Sequence, residues 1–269
     1  MTITPFPVAS IAERLAQLRA APPLVHCLTN EVVQEITANA VLALGASPAM
    51  VVAEEEVAEF AAAADALLIN IGTVYSAREA AMRAAVSAAN EAATPWVFDP
   101  VAVGALAYRS RFARELLEQK PTAIRGNASE ILALSGRNAA GRGADSADSS
   151  DVALDAAIQL AQETDAVVAV TGATDYITDG EKTYSLPYGN ILMTRVTGTG
   201  CALSAVVAAF CAQKDHTLDA VAAACAVVAL AGGDAARRAQ GPGSFVPLFI
   251  DTLYRIRPDH LEEIVHARA

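Results

Sequence analysis

The stretch Ala66-Leu-Leu-Ile-Asn-Ile71, then Gly72-Thr73, a helix-patterned segment from Ser76 to Ala93, and Trp96-Val-Phe98 decides how this chain folds. A short continuous apolar run bounded by turn residues is a strand buried on both faces, and a helix-length segment between two such runs joins parallel neighbours. The unit recurs in both directions, so the chain is expected to form an α/β domain: a mostly parallel sheet with helices on both faces and right-handed crossovers.

Upstream, Ser10 is placed as the cap of a first helix, Ile11 to Arg19, which Pro22-Pro23 ends. Leu24-Val-His-Cys-Leu28 reads as a strand stopping at Thr29-Asn30, where a helix with Val33, Ile36, Ala40 and Leu44 on one face begins and Gly45 closes it. A further strand is expected at Ala49 to Ala53, with Glu54-Glu-Glu56 opening the next helix. Downstream, Trp96-Val-Phe98 ends in Asp99-Pro100, and Ala123-Ile-Arg125 ends in Gly126-Asn127 before a helix containing Glu130. Gly136 to Ser150 reads as a solvated, mobile loop. Asp151 to Glu163 is helical, Ala166 to Val170 is a strand ending in Thr171-Gly172, and a hairpin turns at Asp179-Gly180. Helices are expected at Ala202 to Ala212, Thr217 to Ala231, Phe245 to Ile256 and Asp259 to His266.

Composition limits the partners. A net charge of −11 without a basic cluster opposes nucleic-acid binding, so a phosphate-bearing ligand must be held by backbone N–H groups, a few arginines or a metal. Ala202 to Ala212 and Ala220 to Ala231 fall short of the roughly 20 residues of a membrane span and read as buried helices. The N-terminal segment lacks a secretory pattern. Cys27, Cys201, Cys211 and Cys225 show neither C-x-x-C spacing nor a disulfide framework, which points to reduced thiols in a cytoplasm and gives no support for zinc. With no linker in view, one domain over 1–269 is expected.

The chemistry gathers at strand ends, where open parallel sheets bind ligands. Asn30, Asp99, Glu130, Thr171 and the loop Thr197 to Cys201 all fall there. Asn30 is as readily a helix cap as a ligand. In Arg195-Val-Thr-Gly-Thr-Gly-Cys201 two glycines permit a tight turn into an apolar helix whose first N–H groups form an anion hole. Cys201 at the helix start is expected to have its thiolate favoured by the macrodipole. On the residues alone, the pattern also fits a turn before a core helix with an inert thiol. The set suits Mg²⁺-assisted phosphoryl transfer, and the P-loop pattern G-x-x-x-x-G-K-[ST] is missing.

Pro23-Leu-Val-His-Cys-Leu-Thr-Asn30, Gly45-Ala-Ser-Pro-Ala-Met50, Asn70-Ile-Gly-Thr73, Phe98-Asp-Pro-Val101, Arg125-Gly-Asn-Ala-Ser-Glu130, Val170-Thr-Gly172 and Val196-Thr-Gly-Thr-Gly-Cys201 together resemble the hydroxyethylthiazole kinase family, over about Pro22 to Phe210. The resemblance implies a ribokinase-like three-layer sandwich that phosphorylates 4-methyl-5-(2-hydroxyethyl)thiazole with ATP and Mg²⁺ in thiamine biosynthesis or salvage. It further implies a homotrimer with active sites at subunit interfaces. Met50, Asn30, Gly72, Val101 and Gly198 would bind the thiazole, and Arg125 and Thr171 would contact ATP. Asp99 and Glu130 would hold Mg²⁺ directly or through water. The backbone from Gly198 through Thr199 and Gly200 to Cys201 would stabilise the phosphate in flight, and Cys201 would act as base. Cys201 stands where many relatives in the wider superfamily have Asp, and the adenine pocket is unassigned. The alternatives are another ribokinase-like small-alcohol kinase, an ADP/ATP-dependent NAD(P)H-hydrate dehydratase, or a nucleotide sensor. The sensor is opposed by Asp99, Glu130 and Cys201 occurring together.

Overall fold

The computed structural model describes residues 2–136, 149–261 and 265. Its centre is the run of parallel strands expected from the apolar segments: β2 (Leu24–Leu28), β4 (Ala66–Asn70), β5 (Trp96–Asp99), β6 (Ala123–Asn127) and β7 (Val167–Thr171). With β1 (Ile3–Pro5), β3 (Ser47–Ala49), β8 (Asp175–Thr178) and β9 (Thr183–Leu186), they form a nine-stranded sheet in the order β1-β9-β8-β7-β6-β5-β4-β2-β3. The expected hairpin supplies the antiparallel pairings, β7 with β8 and β8 with β9.

Alternation along each strand divides the core into two layers. Leu68, Val97, Cys27 and Ala169 join one cluster with α1 (Val8–Ala20), α2 (Gln34–Leu44), α8 (Thr199–Cys211), α9 (Thr217–Arg238) and α10 (Pro242–Arg255). Leu67, Ile69, Phe98 and Val168 join the other with α3 (Val57–Ala63), α4 (Ser76–Glu91), α5 (Ala107–Leu117), α6 (Ala128–Leu134) and α7 (Ser150–Thr164). The result is helix, sheet, helix.

Several boundaries differ from expectation for local reasons. Pro7, extended at φ −66° and ψ 135°, caps α1, so Ser10 lies inside its first turn. β3 ends at Ala49 because only Ser47 to Ala49 pair with β2, and Glu54 to Glu56 form a turn before α3. β1 and α5 were not expected; α5 is rich in arginine and buries only Phe112, Ala113 and Leu116. Gly45 at φ 98° and Gly180 at φ 91° take the left-handed turns expected of them. Helix α9 runs on to Arg238, which makes it long and apolar enough to span a membrane by length and composition. It is a core helix here, with 83% of its most apolar window buried. At the C-terminus a short 3₁₀ turn, Pro258–His260, takes the start of the helix expected over Asp259 to His266; Leu261 and Val265 are helical as expected, and 262–264 and 266 lie outside the described residues. The loop reading at Gly136 to Ser150 falls mainly on 137–148, also outside them.

Candidate active site

Parallel register sets the polar strand ends along one rim. Asn70 pairs with Asp99, and Asn127 with Thr171. Each of these residues ends an apolar strand, so its side chain emerges where the next loop leaves the sheet.

From β2 toward α8 the side chains form a continuous buried network. Asn30 Nδ2 donates to Asn70 Oδ1 at 3.0 Å and to the Cys201 sulphur at 3.4 Å. Asn70 Nδ2 donates to Asp99 Oδ2 at 2.7 Å, and Ser204 Oγ donates to the same oxygen at 2.8 Å. Asp99 is fully buried, and its Oδ1 has no hydrogen-bond partner among the described residues. Burial raises its carboxyl to about 7, helped by the nearby Glu130 charge and opposed by Arg125 and the two donors.

Glu130 is placed by the start of α6. Asn127 Oδ1 accepts the Glu130 N–H at 2.9 Å while Glu130 Oε2 accepts the Asn127 N–H at 2.8 Å, a reciprocal capping box. Its Oε1 accepts the Ala102 N–H at 2.9 Å. Both oxygens therefore have backbone donors, whereas Asp99 Oδ1 has none. The pair fits Mg²⁺, which keeps several waters and takes one or two carboxylates beside substrate phosphates. No cluster of three or more metal-ligating side chains occurs among the described residues, so a closed protein cage is not formed.

Gly198 is the left-handed N-cap of α8, at φ 92°. A Cβ there would lie 2.7 Å from Ile36 Cγ2, so the glycine lets the loop rest on the start of α2, beside Asn30. Thr199, Gly200 and Cys201 form the first turn of α8, whose N–H groups have no intrahelical acceptor. The Thr199 hydroxyl is turned away, donating to the Met193 carbonyl at 3.0 Å. Arg125 lies against Gly200, where a Cβ would meet its Nη1 at 2.7 Å, and donates to Thr171 Oγ1 at 2.5 Å. Burial disfavours its charge, but Asp99, Glu130, Cys201 and Asp175 together raise its pKa.

The helix start does not make Cys201 an acidic thiol. Burial and the Asp99 charge push it up to about 12, and hydrogen bonds from Asn70 and Asn30 and the charge of Arg125 only partly offset them. This corrects the expectation of a favoured thiolate: desolvation of a largely buried sulphur beside a carboxylate raises the thiol.

The remaining expected residues are linked less directly. Arg109, on the unexpected α5, donates to the Val101 carbonyl at 2.9 Å and to the Gly72 carbonyl at 2.6 Å, tying two loops together. A Cβ on Gly72 would strike Asn30 Nδ2 at 2.7 Å. Met50 follows β3, half-buried on the α2 side of the core, and the next carbonyl, Val51, is held by His26 Nε2 at 2.8 Å. His26 is thus a buried strand residue, as read from sequence. Asn70, Ser204 and Arg109 received no role from sequence. The only signals were a polar residue closing the run Ala66 to Ile69 and one interrupting the run after Cys201.

Residues 15–259 match the Hydroxyethylthiazole kinase family. The chain is 62% identical over 257 residues to the hydroxyethylthiazole kinase of Serratia proteamaculans, covering 96% of this chain and 97% of that protein. Its structure resembles the hydroxyethylthiazole kinase protein of Pyrococcus horikoshii OT3, with a TM-score of 0.86, 41% identity and 95% of each chain covered. A ribokinase-like superfamily protein of Enterococcus faecalis V583 shares the fold at a TM-score of 0.63 and 14% identity, covering 97% of this chain and 92% of that one.

Proposed function

The chain belongs to the hydroxyethylthiazole kinase family, and from that premise we propose that its reaction takes place on the rim formed by Asn30, Asp99, Glu130, Arg125 and the start of α8. The enzyme phosphorylates the hydroxyethyl group of 4-methyl-5-(2-hydroxyethyl)thiazole in thiamine metabolism.

ATP is the donor in this reading. Arg125, hydrogen-bonded to Thr171, faces its phosphates, and the N–H groups of Thr199 to Cys201 receive the transferred group. The thiazole lies between Met50, Val101, Gly72 and Asn30, with its hydroxyethyl arm toward Gly198. The hydroxyl oxygen bonds to the γ-phosphorus, the bond from that phosphorus to the β–γ bridging oxygen breaks, ADP leaves, and the hydroxyl proton passes to the Cys201 sulphur in its thiolate form, giving the thiol. Asp99, through its open Oδ1, and Glu130, through water, would hold Mg²⁺. The ion neutralises phosphate charge when bound.

The observation that carries the reading is the meeting of a buried carboxylate oxygen without a partner among the described residues, a thiol and a helix start without a side-chain cap at one strand rim. Purified protein with ATP, Mg²⁺ and the thiazole alcohol, followed by phosphorus NMR, tests it. A new monoester signal is expected; phosphorylation of another alcohol but not this one would overturn the substrate.

The same reading makes 1–269 one domain of a homotrimer with active sites at subunit interfaces. Support comes from the exposed Val32 and Ile191, on the segments that carry Asn30 and lead to the glycine loop. Light scattering on the purified protein checks the mass. The four free cysteines suit a reducing cytoplasm, which fractionation of the source cells checks.

A further inference from the structure

The reaction as described leaves Asn70 idle, yet this fully buried side chain touches polar groups at both ends of the network. Its Nδ2 donates to Asp99 Oδ2 at 2.7 Å, and its Oδ1 accepts from Asn30 Nδ2 and from the Gly72 N–H, each at 3.0 Å. A carboxylate without its proton only accepts, and a backbone N–H only donates, so one orientation of the amide satisfies both neighbours. An Asx turn closing β4 accounts for the Gly72 bond alone.

The orientation is passed on. Facing Asn70 Oδ1, Asn30 must present its Nδ2, and its own Oδ1 takes the Val32 N–H at 3.1 Å. The same Nδ2 also donates to Cys201 Sγ, at 3.4 Å. Reversing either amide would set donor against donor or acceptor against acceptor where water is excluded. At the other end, Asn70 and Ser204 both donate to Oδ2 of Asp99, which leaves Oδ1 as its open oxygen.

We propose that Asn70 is a positioning residue for both ends of the transfer: through Asn30 it aims an N–H at the Cys201 sulphur, and directly it holds Asp99 with Oδ1 toward the phosphate site. The proposal rests on the reading that Cys201 and Asp99 serve phosphoryl transfer.

Asn70→Leu removes both hydrogen-bonding functions at similar size, and Asn70→Ser is a smaller second variant. Each is measured by steady-state kinetics with ATP and the thiazole alcohol, by the rate of iodoacetamide alkylation of metal-free protein at pH 8, and by thermal melting. Cys27, Cys211 and Cys225 are buried, so alkylation of the folded protein reports on Cys201, with Cys201→Ala as the blank. In a folded variant, kcat is expected to fall at least about tenfold while either KM stays within about threefold, the pattern of a lost transition-state interaction. Alkylation is expected to slow at least about threefold, because the amides of Asn70 and Asn30 favour the reactive thiolate. Loosened packing would expose the sulphur and speed the reaction instead. A folded variant with the parent kcat and alkylation rate overturns the proposal. Failure of both variants to fold also overturns it, reducing Asn70 to a folding residue. If the parent forms no thiazole phosphate, the functional reading fails, and the alkylation comparison still decides the amide relay.

Discussion

Ser204 donates its hydroxyl to Asp99 Oδ2 across 2.8 Å although 105 residues separate the two in the chain. The bond joins β5 to the second turn of α8, so the carboxylate expected to serve the metal is held by the same helix whose first turn faces the phosphate. Ser204→Ala would leave Asn70 as the remaining side-chain donor to that oxygen. A raised Mg²⁺ requirement is expected, with a stability loss of about 1–3 kcal/mol, the usual range for a buried polar group losing its partner. A Mg²⁺ titration of initial rates and a urea melt check the two effects, and an unchanged titration would release Ser204 from the role.

Cys201→Ala should lower kcat by about tenfold at pH 7, less than the roughly 10²–10⁴ that a well-placed general base supplies, because little of this thiol is ionised there. Because the thiol is pushed up to about 12, thiolate grows with every rise in pH across the working range, so the deficit should widen toward pH 9. Cys201→Asp should retain activity, since a carboxylate can take the same proton. The ratio of parent to Cys201→Ala rates as a function of pH is the measurement; a ratio of one throughout leaves the motif only its backbone N–H groups.

Gly200→Ala should raise the KM for ATP by about tenfold, equivalent to about 1.4 kcal/mol, with less effect on the thiazole alcohol. The added Cβ would stand 2.7 Å from Arg125 Nη1 and displace the guanidinium from Thr171. Alanine also favours the helix by up to about 1 kcal/mol over glycine, so the melting temperature should not fall. Paired kinetic titrations of the two substrates decide it.

Arg109→Ala should act on the other substrate. Without the guanidinium, the Val101 and Gly72 carbonyls lose their common donor, and the two loops proposed to flank the thiazole separate. A KM for the thiazole alcohol raised at least about fivefold is expected, on the order of 1 kcal/mol, with ATP binding preserved. Calorimetric binding of each substrate distinguishes this from general unfolding.

Asp175 gives a pH signature of the fold. Burial raises its carboxyl from 3.8 to about 6, against the Gly172 N–H and the Arg125 charge. The folded protein thus binds more protons than the unfolded chain between these values. Stability from this group is present below about pH 4 and is lost as pH rises through about 6. Asp175→Asn should flatten that part of the pH dependence, seen in melting temperatures taken from pH 4 to 7. An identical slope in parent and variant would rule Asp175 out.

Much of this architecture was legible because its signals are local. Apolar runs such as Leu24 to Leu28 and Val167 to Val170 mark strands whatever surrounds them, and Gly45 and Gly180 mark chain reversals through backbone freedom alone. Helix α5 was missed because most of its surface stays in water. Its arginines hide the short apolar stripe, and its one contribution to the site, Arg109, shows only once the Gly72 and Val101 loops are folded beneath it.

Local signals were enough for the alternation of strand and helix, the turn into α8, the placing of Asp99 and Thr171 at strand ends, and that of Asn30 just past β2 and Glu130 in the helix that follows β6, since backbone preference and hydrophobic period act between near neighbours. The tertiary structure alone decided which of these touch. The sheet order sets β4 between β2 and β5, which makes Asn70 the bridge from Asn30 to Asp99, and the docking of α8 brings up Ser204. It also reversed the expectation for the Cys201 thiol, because desolvation and charge repulsion depend on burial and on distances across the fold, which a linear pattern does not contain.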